Sequence, residues 1–206
     1  MMAETTRPPE WAEALLWWCL KSTDCEDVSG DLLEEYRASI VPWRGEAAAD
    51  AWYVAQVAGF VWRATWLWAL MFSALSIART AYDWRVPTTD FATRSAVSTW
   101  SGVAVLFIAA MWTAWRSRSF TAGVLIAMIT SQIAAVISVV SSAILFAFWH
   151  DAETQRAIAG SGGLAEAFVL PFMMIIPAII VGGVGSAAAS VGRRYRSSGS
   201  AKTNNA

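Results

Sequence analysis

Histidine occurs once in this chain, at His150, and cysteine twice, at Cys19 and Cys25. A single histidine excludes haem held by a histidine pair, and any Ser-His-Asp constellation would have to recruit that same residue. No compact set of metal-ligand spacing is present, so neither a metal nor another cofactor is expected. A glycine-rich loop ending in Gly-Lys-Ser or Gly-Lys-Thr is also missing, which excludes ATP hydrolysis by the P-loop route. The N-terminal part carries no basic patch and the basic C-terminal stretch is short, so nucleic acid is not an expected partner. The opening residues, up to about Leu20, lack a basic flank followed by an apolar core; the first apolar span is expected to act as the insertion signal. Both cysteines lie in the part assigned to the cytosol, where reduced thiols are expected.

What the chain has in abundance is apolar surface. At 206 residues, 56% hydrophobic and a mean hydropathy of +0.44, it is too apolar for an ordinary soluble domain. The net charge of -1 hides an asymmetry, since 11 of the 16 acidic residues precede Val57 while the far C-terminus is basic. Four charge-poor runs are long enough to cross a bilayer as helices, at about 57–78, 97–115, 120–149 and 164–191. The expected fold is therefore all-α: a polytopic membrane protein with four transmembrane helices over 57–192, a small N-terminal cytosolic helical module over 1–56, and a basic, disordered tail over 193–206. Lysine and arginine set the orientation. Arg7, Lys21, Arg37, Arg44, the turn Arg116 and Arg118, and the tail Arg193, Arg194, Arg196 and Lys202 lie on one side. Only Arg79, Arg85, Arg94 and Arg156 lie on the other, which places both termini in the cytosol of a bacterial inner membrane. Arg63 interrupts the first span and is expected to snorkel to the cytosolic interface. The stretch 47–62 would then lie partly along the surface, anchored by Trp52 and Trp62. Trp115 and the arginines 116, 118, 193 and 194 complete the expected interface set, in contact with the lipid bilayer.

The N-terminal third carries the most specific wording. Pro8 and Pro9 suit a first helical turn, and Trp11, Leu15, Leu16 and Trp18 recur at helical spacing. A second helix follows, with Cys25, Val28, Leu32, Tyr36 and Ile40 on one face and Asp27, Asp31, Glu34 and Glu35 on the others. Placing Asp27, Asp31 and Glu35 four residues apart costs a few tenths of a kcal/mol per pair, only partly offset by Arg37. Asp27, Asp31, Glu34, Glu35 and Arg37 are the candidate contact site for a protein partner, although a solvated helix face has the same pattern. The word Gly30-Asp31-Leu32-Leu33-Glu34-Glu35-Tyr36-Arg37, with Pro8-Pro9, Trp11, the Leu15-Leu16 pair and Ala51-Trp52-Tyr53-Val54-Ala55-Gln56, resembles the permease prefix domain. That helical module precedes MacB/FtsX-like ABC transporter permeases in some bacteria. The resemblance covers about residues 7–62 and implies a transporter context but no catalytic residue. Where such permeases insert a large extracytoplasmic domain, only the short stretch 79–98 stands here.

Within the apolar region, Ser131, Ala134, Ala135, Ser138, Ser141 and Ser142 form a stripe of small residues against which another helix is expected to press. Ala178, Gly182, Gly183, Ser186, Ala187 and Ala189 offer the matching surface, with Pro171 and Pro177 expected to bend the chain. Packing within one bundle and a homodimer seam would use the same residues. Gln132 is a polar group deep in a span, Glu166 lies near an outer span end, and His150, Asp151 and Glu153 fit an ordinary loop better than a metal or acid-base site. Few ionisable groups fall inside the spans, which disfavours ion-coupled transport. The expected function is that of a non-enzymatic accessory or regulatory membrane protein whose acidic module docks a cytosolic regulator or an ABC transporter subunit. The alternative is a small subunit or remnant of an ABC-type permease, lining part of a transport path.

Overall fold

The computed structural model describes residues 6–19, 22–86, 90–149, 151–160 and 163–203, and every regular element among them is a helix. α1 (Glu10–Cys19) and α2 (Ser22–Glu35) are followed by a π-helical turn (Tyr36–Ile40) and a short α3 (Val41–Arg44). Gly45, at φ 78°, ends this run; its backbone sits in the left-handed region that side chains resist, and the chain redirects there into α4 (Glu46–Arg85). α4 has 40 residues. At 1.5 Å per residue that is about 60 Å, roughly twice the apolar thickness of a bilayer. The boundary expected at residue 56 therefore falls inside one unbroken helix, as does the surface segment expected over 47–62. The physical reason is that the run from Glu46 contains no proline to interrupt the i→i−4 ladder, and the lone Gly59 is tolerated.

α5 (Phe91–Ser117) begins at Asp90, whose side chain accepts from the Thr93 amide at 3.1 Å; hydrogen bonding from the Thr93 side chain first, and from that amide second, holds the Asp90 carboxyl below its ordinary range. It ends at Arg118, which takes the left-handed conformation at φ 58°, and Ser119 then caps α6 (Phe120–Phe148) by accepting from the Ala122 amide. Past α6, Asp151 caps α7 (Ala152–Gly160) through the Thr154 amide and hydroxyl, at 3.0 and 2.9 Å. The last apolar segment is not one helix over 164–191. It is divided into α8 (Gly163–Phe168), α9 (Leu170–Met173) and α10 (Ile175–Thr203), with turns at Val169 and Met174. Pro171 and Pro177 lack the amide hydrogens that would carry the ladder across these points. The tail expected to be disordered continues α10 to Thr203, because each residue added to an existing helix forms a bond without a new nucleation cost. Residues 204–206 lie outside the described part.

Among the described residues, four helical segments are long and apolar enough to cross a membrane: Glu46–Arg85, Ala92–Ser117, Phe120–Phe148 and Leu170–Tyr195. α10 packs on α5 and α6, and α4 packs on α6 and α5. Phe72, Val105, Leu106, Ala134 and Ala178 meet at the bundle centre. The outer faces are apolar as well. Val136, Val140, Ile144 and Phe148 on α6, and Ile176, Ile180 and Val184 on α10, are each more than half exposed. In water such stripes would drive association, whereas hydrocarbon is the medium they match.

Candidate functional site

At one end of α4 the N-terminal helices form a module with its own core. Ala12 and Leu16 of α1, Cys25 and Leu32 of α2, and Tyr36 close on Ala49, Tyr53, Val57 and Val61 of α4. Tyr36 meets Tyr53 edge to face, with ring centroids 6.0 Å apart, and its hydroxyl donates to Asp50 Oδ1 at 2.6 Å. Burial, then the bond to Asp50, pushes the Tyr36 phenol well above its ordinary range. The π turn widens the helix at this point, so the chain gains a residue while Tyr36 and Ile40 both stay against the core. Val28 and Ile40 are partly buried there, and Trp52, expected at the interface, packs against the same core.

The opposite face of α2 is bare. Asp27, Asp31, Glu34 and Glu35 are all exposed, in agreement with the helical spacing that singled them out. Arg37 differs from them: its Nε donates to the Thr6 carbonyl at 3.1 Å, which ties the chain start to the π turn. Beyond the acidic face, Trp43 of α3 is 90% exposed.

Of the small residues singled out in α6, Ser131, Ala135, Ser138 and Ser142 are buried, as is Ser186 of α10. A Cβ on Gly182 would stand 2.9 Å from Ala127 Cβ, so this helix pair needs a glycine there. Gly183 is different, with only Phe120 Cζ at 3.9 Å, and Ala187 is exposed. The tightest approaches fall on two glycines the pattern did not pick out. A Cβ on Gly123 would stand 2.2 Å from Ser186 Oγ, and one on Gly185 would stand 2.7 Å from the Phe107 carbonyl oxygen. Trp62, Arg63, Trp115, Arg116, Arg118 and Arg194 are exposed, while Arg193 reaches back to the Ala114 carbonyl and, at 3.2 Å, to Ser190 Oγ.

The far end of α4 holds the least anticipated arrangement. Arg79, Arg85 and Arg94 were expected in a loop; instead Arg79 and Arg85 lie within α4 and Arg94 within α5. Arg79 Nε pairs with Asp83 Oδ2 one turn on, at 3.2 Å, and its Nη2 pairs with Glu166 of α8. Arg94 Nη1 reaches Asp83 Oδ1 at 3.4 Å and the Val86 carbonyl at 2.8 Å, with its guanidinium over the Tyr82 ring. Two cations and two carboxylates are thus joined across three helices. Burial pushes the Glu166 carboxyl above its ordinary range, against the lowering pull of Arg79. α8 lies outside the apolar span that starts at Leu170.

Beside this cluster is a cavity of about 120 Å³. Its charged lining is Arg79, Asp83 and Glu166, with hydroxyls from Ser76, Thr80, Ser98, Thr99, Ser138 and Ser142. Trp84, Ile158 and Ala167 close that end of the bundle, and Trp84 meets Phe146 edge to face at 6.4 Å. No protein-family model, curated protein or solved structure matches the chain. Sequence reasoning noticed Glu166 but not its partners. The usable signal was the spacing of Arg79 and Asp83, one helical turn apart just past an apolar run, which would have kept α4 helical to its charged end. Gln132 contacts Ser131 Oγ at 3.4 Å and the Phe172 carbonyl at 3.5 Å. Asp151 serves as a helix cap, and His150 lies outside the described residues. Among the described residues no cluster of metal-ligating side chains forms.

Proposed function

We propose that this chain is an accessory or regulatory protein of a bacterial inner membrane, with four spans and both termini in the cytosol. In this reading its N-terminal module docks a soluble protein partner through the acidic face of α2. One observation carries the proposal: α2 spends its whole apolar face on the module core, yet leaves Asp27, Asp31, Glu34 and Glu35 exposed together. A basic surface on a regulator or a transporter subunit is the complement such a face would steer. The continuous α4 supports the idea further, since a partner held at the module would sit on the same rigid rod that enters the bilayer. The resemblance to permease prefixes supports a transporter context for that partner. The proposed role is not catalytic.

Two experiments test this reading. Reporter fusions after Arg118 and Arg196 should report the cytosol, and a fusion after Arg85 the opposite side; a cytosolic signal at Arg85 would overturn the topology. Crosslinking from a photoreactive group at Asp31 should give one discrete adduct in intact cells. That adduct should vanish when Asp27, Glu34 and Glu35 are changed to lysine, and its persistence would remove the acidic face from the site. The alternative reading, a small permease subunit, draws on the cavity between the spans. It requires loss of solute or lipid export when the chain is deleted beside its transporter.

A further inference from the structure

Tryptophan is concentrated on one helix of the N-terminal module. α1 gives Ala12 and Leu16 to the module core but leaves Trp11 59% exposed and Trp17 and Trp18 43% each. Two adjacent bare indoles form an apolar patch that calls for a partner. The charges of α1 lie at its other end. Glu10 and Glu13 occupy the first turn, and residues 14–18 carry none. The helix is therefore polar at its start and apolar toward its end, a division along its length.

Packing fixes where that apolar end sits. The carbonyl oxygen of Arg7, just ahead of α1, lies 3.4 Å from the Tyr36 hydroxyl that donates to Asp50, so α1 sets out near the start of α4. Leu16, close to the end of α1, joins the core that contains Val57 and Val61 of α4, and Ile129 of α6 packs against the same core. α1 also touches α6 directly. It thus descends beside α4 toward the bundle. α6 begins on this side, since its other end brings Phe146 against Trp84, far along α4. Ile129 is about 14 Å from the start of α6 at Phe120, at 1.5 Å per residue. With 29 residues α6 is about 43 Å long, which matches a hydrocarbon core plus two headgroup layers, each about 5–7 Å deep. Ile129 then lies below the headgroup layer, and the end of α1 beside this core lies within it. Trp62, next to Val61, and Trp115, just before the turn into α6, are exposed as well. Trp17 and Trp18 extend that aromatic band.

We infer that the end of α1 is inserted in the cytosolic headgroup layer, with Trp17 and Trp18 facing lipid, so that the N-terminal module is clamped to the bilayer. Indole suits this layer because its ring is apolar while its N–H finds water or ester oxygens. Trp11, in the charged first turn, stays in water. α2 returns from the inserted end toward Tyr36, which carries Asp31, Glu34 and Glu35 back into the cytosol. A soluble partner would meet that acidic face at a fixed height above the membrane. The inference rests on the membrane reading above, and its test separates the two.

The full chain is reconstituted in phosphatidylcholine vesicles, a lipid without net charge, that contain a diazirine lipid. One preparation carries the diazirine beside the glycerol and another at the end of the acyl chain. Adducts formed on illumination are located by mass spectrometry after cleavage behind Glu13, which separates Trp11 from Trp17 and Trp18. The shallow probe should mark Trp17 and Trp18 at least about fivefold more than Trp11, and the deep probe should mark Val136 and Val140 but not α1. Marking of α6 with none on Trp17 or Trp18, or equal marking of Trp11, overturns the inference while the membrane reading stands; a second copy or a soluble protein covering the pair would give the first of these results. No marking of α6 by either probe overturns the membrane reading and the inference with it. Trp17→Gln combined with Trp18→Gln changes two exposed side chains outside the module core. Shallow marking of the segment 14–26 should then fall at least about fivefold while that of Val136 and Val140 by the deep probe is kept. Undiminished marking of the segment would show that the tryptophans are not the anchor and also overturns the inference.

Discussion

Arg79 on α4 and Glu166 on α8, 87 positions apart in the chain, form an ion pair that Asp83 and Arg94 extend into a network of four charges. Each of Arg79 and Arg94 retains 20% side-chain exposure, so the network is partly shielded rather than dry. Its members hold the end of α4 against α5 and against α8.

Replacing Arg79 by methionine removes the counter-charge of Glu166 while Asp83 keeps Arg94. The expected cost is about 1–3 kcal/mol, below that of breaking a fully buried pair, because both partners reach some solvent. The sign of its pH dependence follows from Glu166, whose folded carboxyl already titrates above its ordinary value through burial. A raised carboxyl pKa means stability that is full below the unfolded value and is lost as pH rises through the folded one. The variant should therefore lose more stability at pH 8 than at pH 5. Thermal unfolding in detergent at the two pH values checks this, and equal losses would show that Glu166 does not respond to Arg79.

Tyr36→Phe keeps the ring against Tyr53 and deletes only the hydroxyl that donates to Asp50. A hydrogen bond to a charged acceptor contributes about 1.5–3 kcal/mol, so the module should loosen by that amount while the spans remain unchanged. Limited proteolysis within residues 22–45 should quicken, with no change in cleavage near α10. Uniform quickening would mean that module and bundle unfold together.

Gly185 and Gly183 separate packing from propensity. A methyl at Gly185 would meet the Phe107 carbonyl oxygen at 2.7 Å and the Met111 amide nitrogen at 3.2 Å, both backbone atoms that cannot step aside. Gly185→Ala should cost about 1–3 kcal/mol by forcing α10 away from α5. At Gly183 the nearest atom is a ring carbon 3.9 Å away, so Gly183→Ala should be neutral or gain up to about 1 kcal/mol of helix propensity. Resistance to unfolding by a denaturing detergent ranks the two. The reverse order would reject the close α5–α10 contact.

Cys25 is fully buried, and burial followed by the charges of Glu26 and Glu13 pushes its thiol above the ordinary value. In a Cys19→Ser background, a maleimide at pH 7 should leave the folded protein unmodified over a period in which the denatured chain reacts fully. Mass spectrometry reads the adduct, and rapid native labelling would show that the module core opens.

Much of this architecture is written in residue order. Period and charge placed Cys25, Leu32 and Tyr36 on the inner face of α2 and Asp27, Asp31, Glu34 and Glu35 on the outer one, because a helix repeats every 3.6 residues whatever surrounds it. Boundaries were less legible. Arg63 suggested an interface, with the stretch 47–62 partly along the surface, yet one helix continues unbroken through both, since an exposed arginine does not break a backbone ladder. Arg37 read as a member of the charged face, but a side chain that long reaches whichever acceptor the fold presents, here the Thr6 carbonyl.

The sequence by itself determined the all-helical class, four apolar segments long enough to span a bilayer, and the amphipathic division of the N-terminal helices, because each follows from local periodicity and hydropathy. Only the tertiary structure decided that Gly123 and Gly185 mark the closest helix approaches, and that Arg79, Asp83, Arg94 and Glu166 form one network beside a cavity between the helices. Such contacts depend on the rotation and relative height of packed helices, which are set by side chains far apart in the chain.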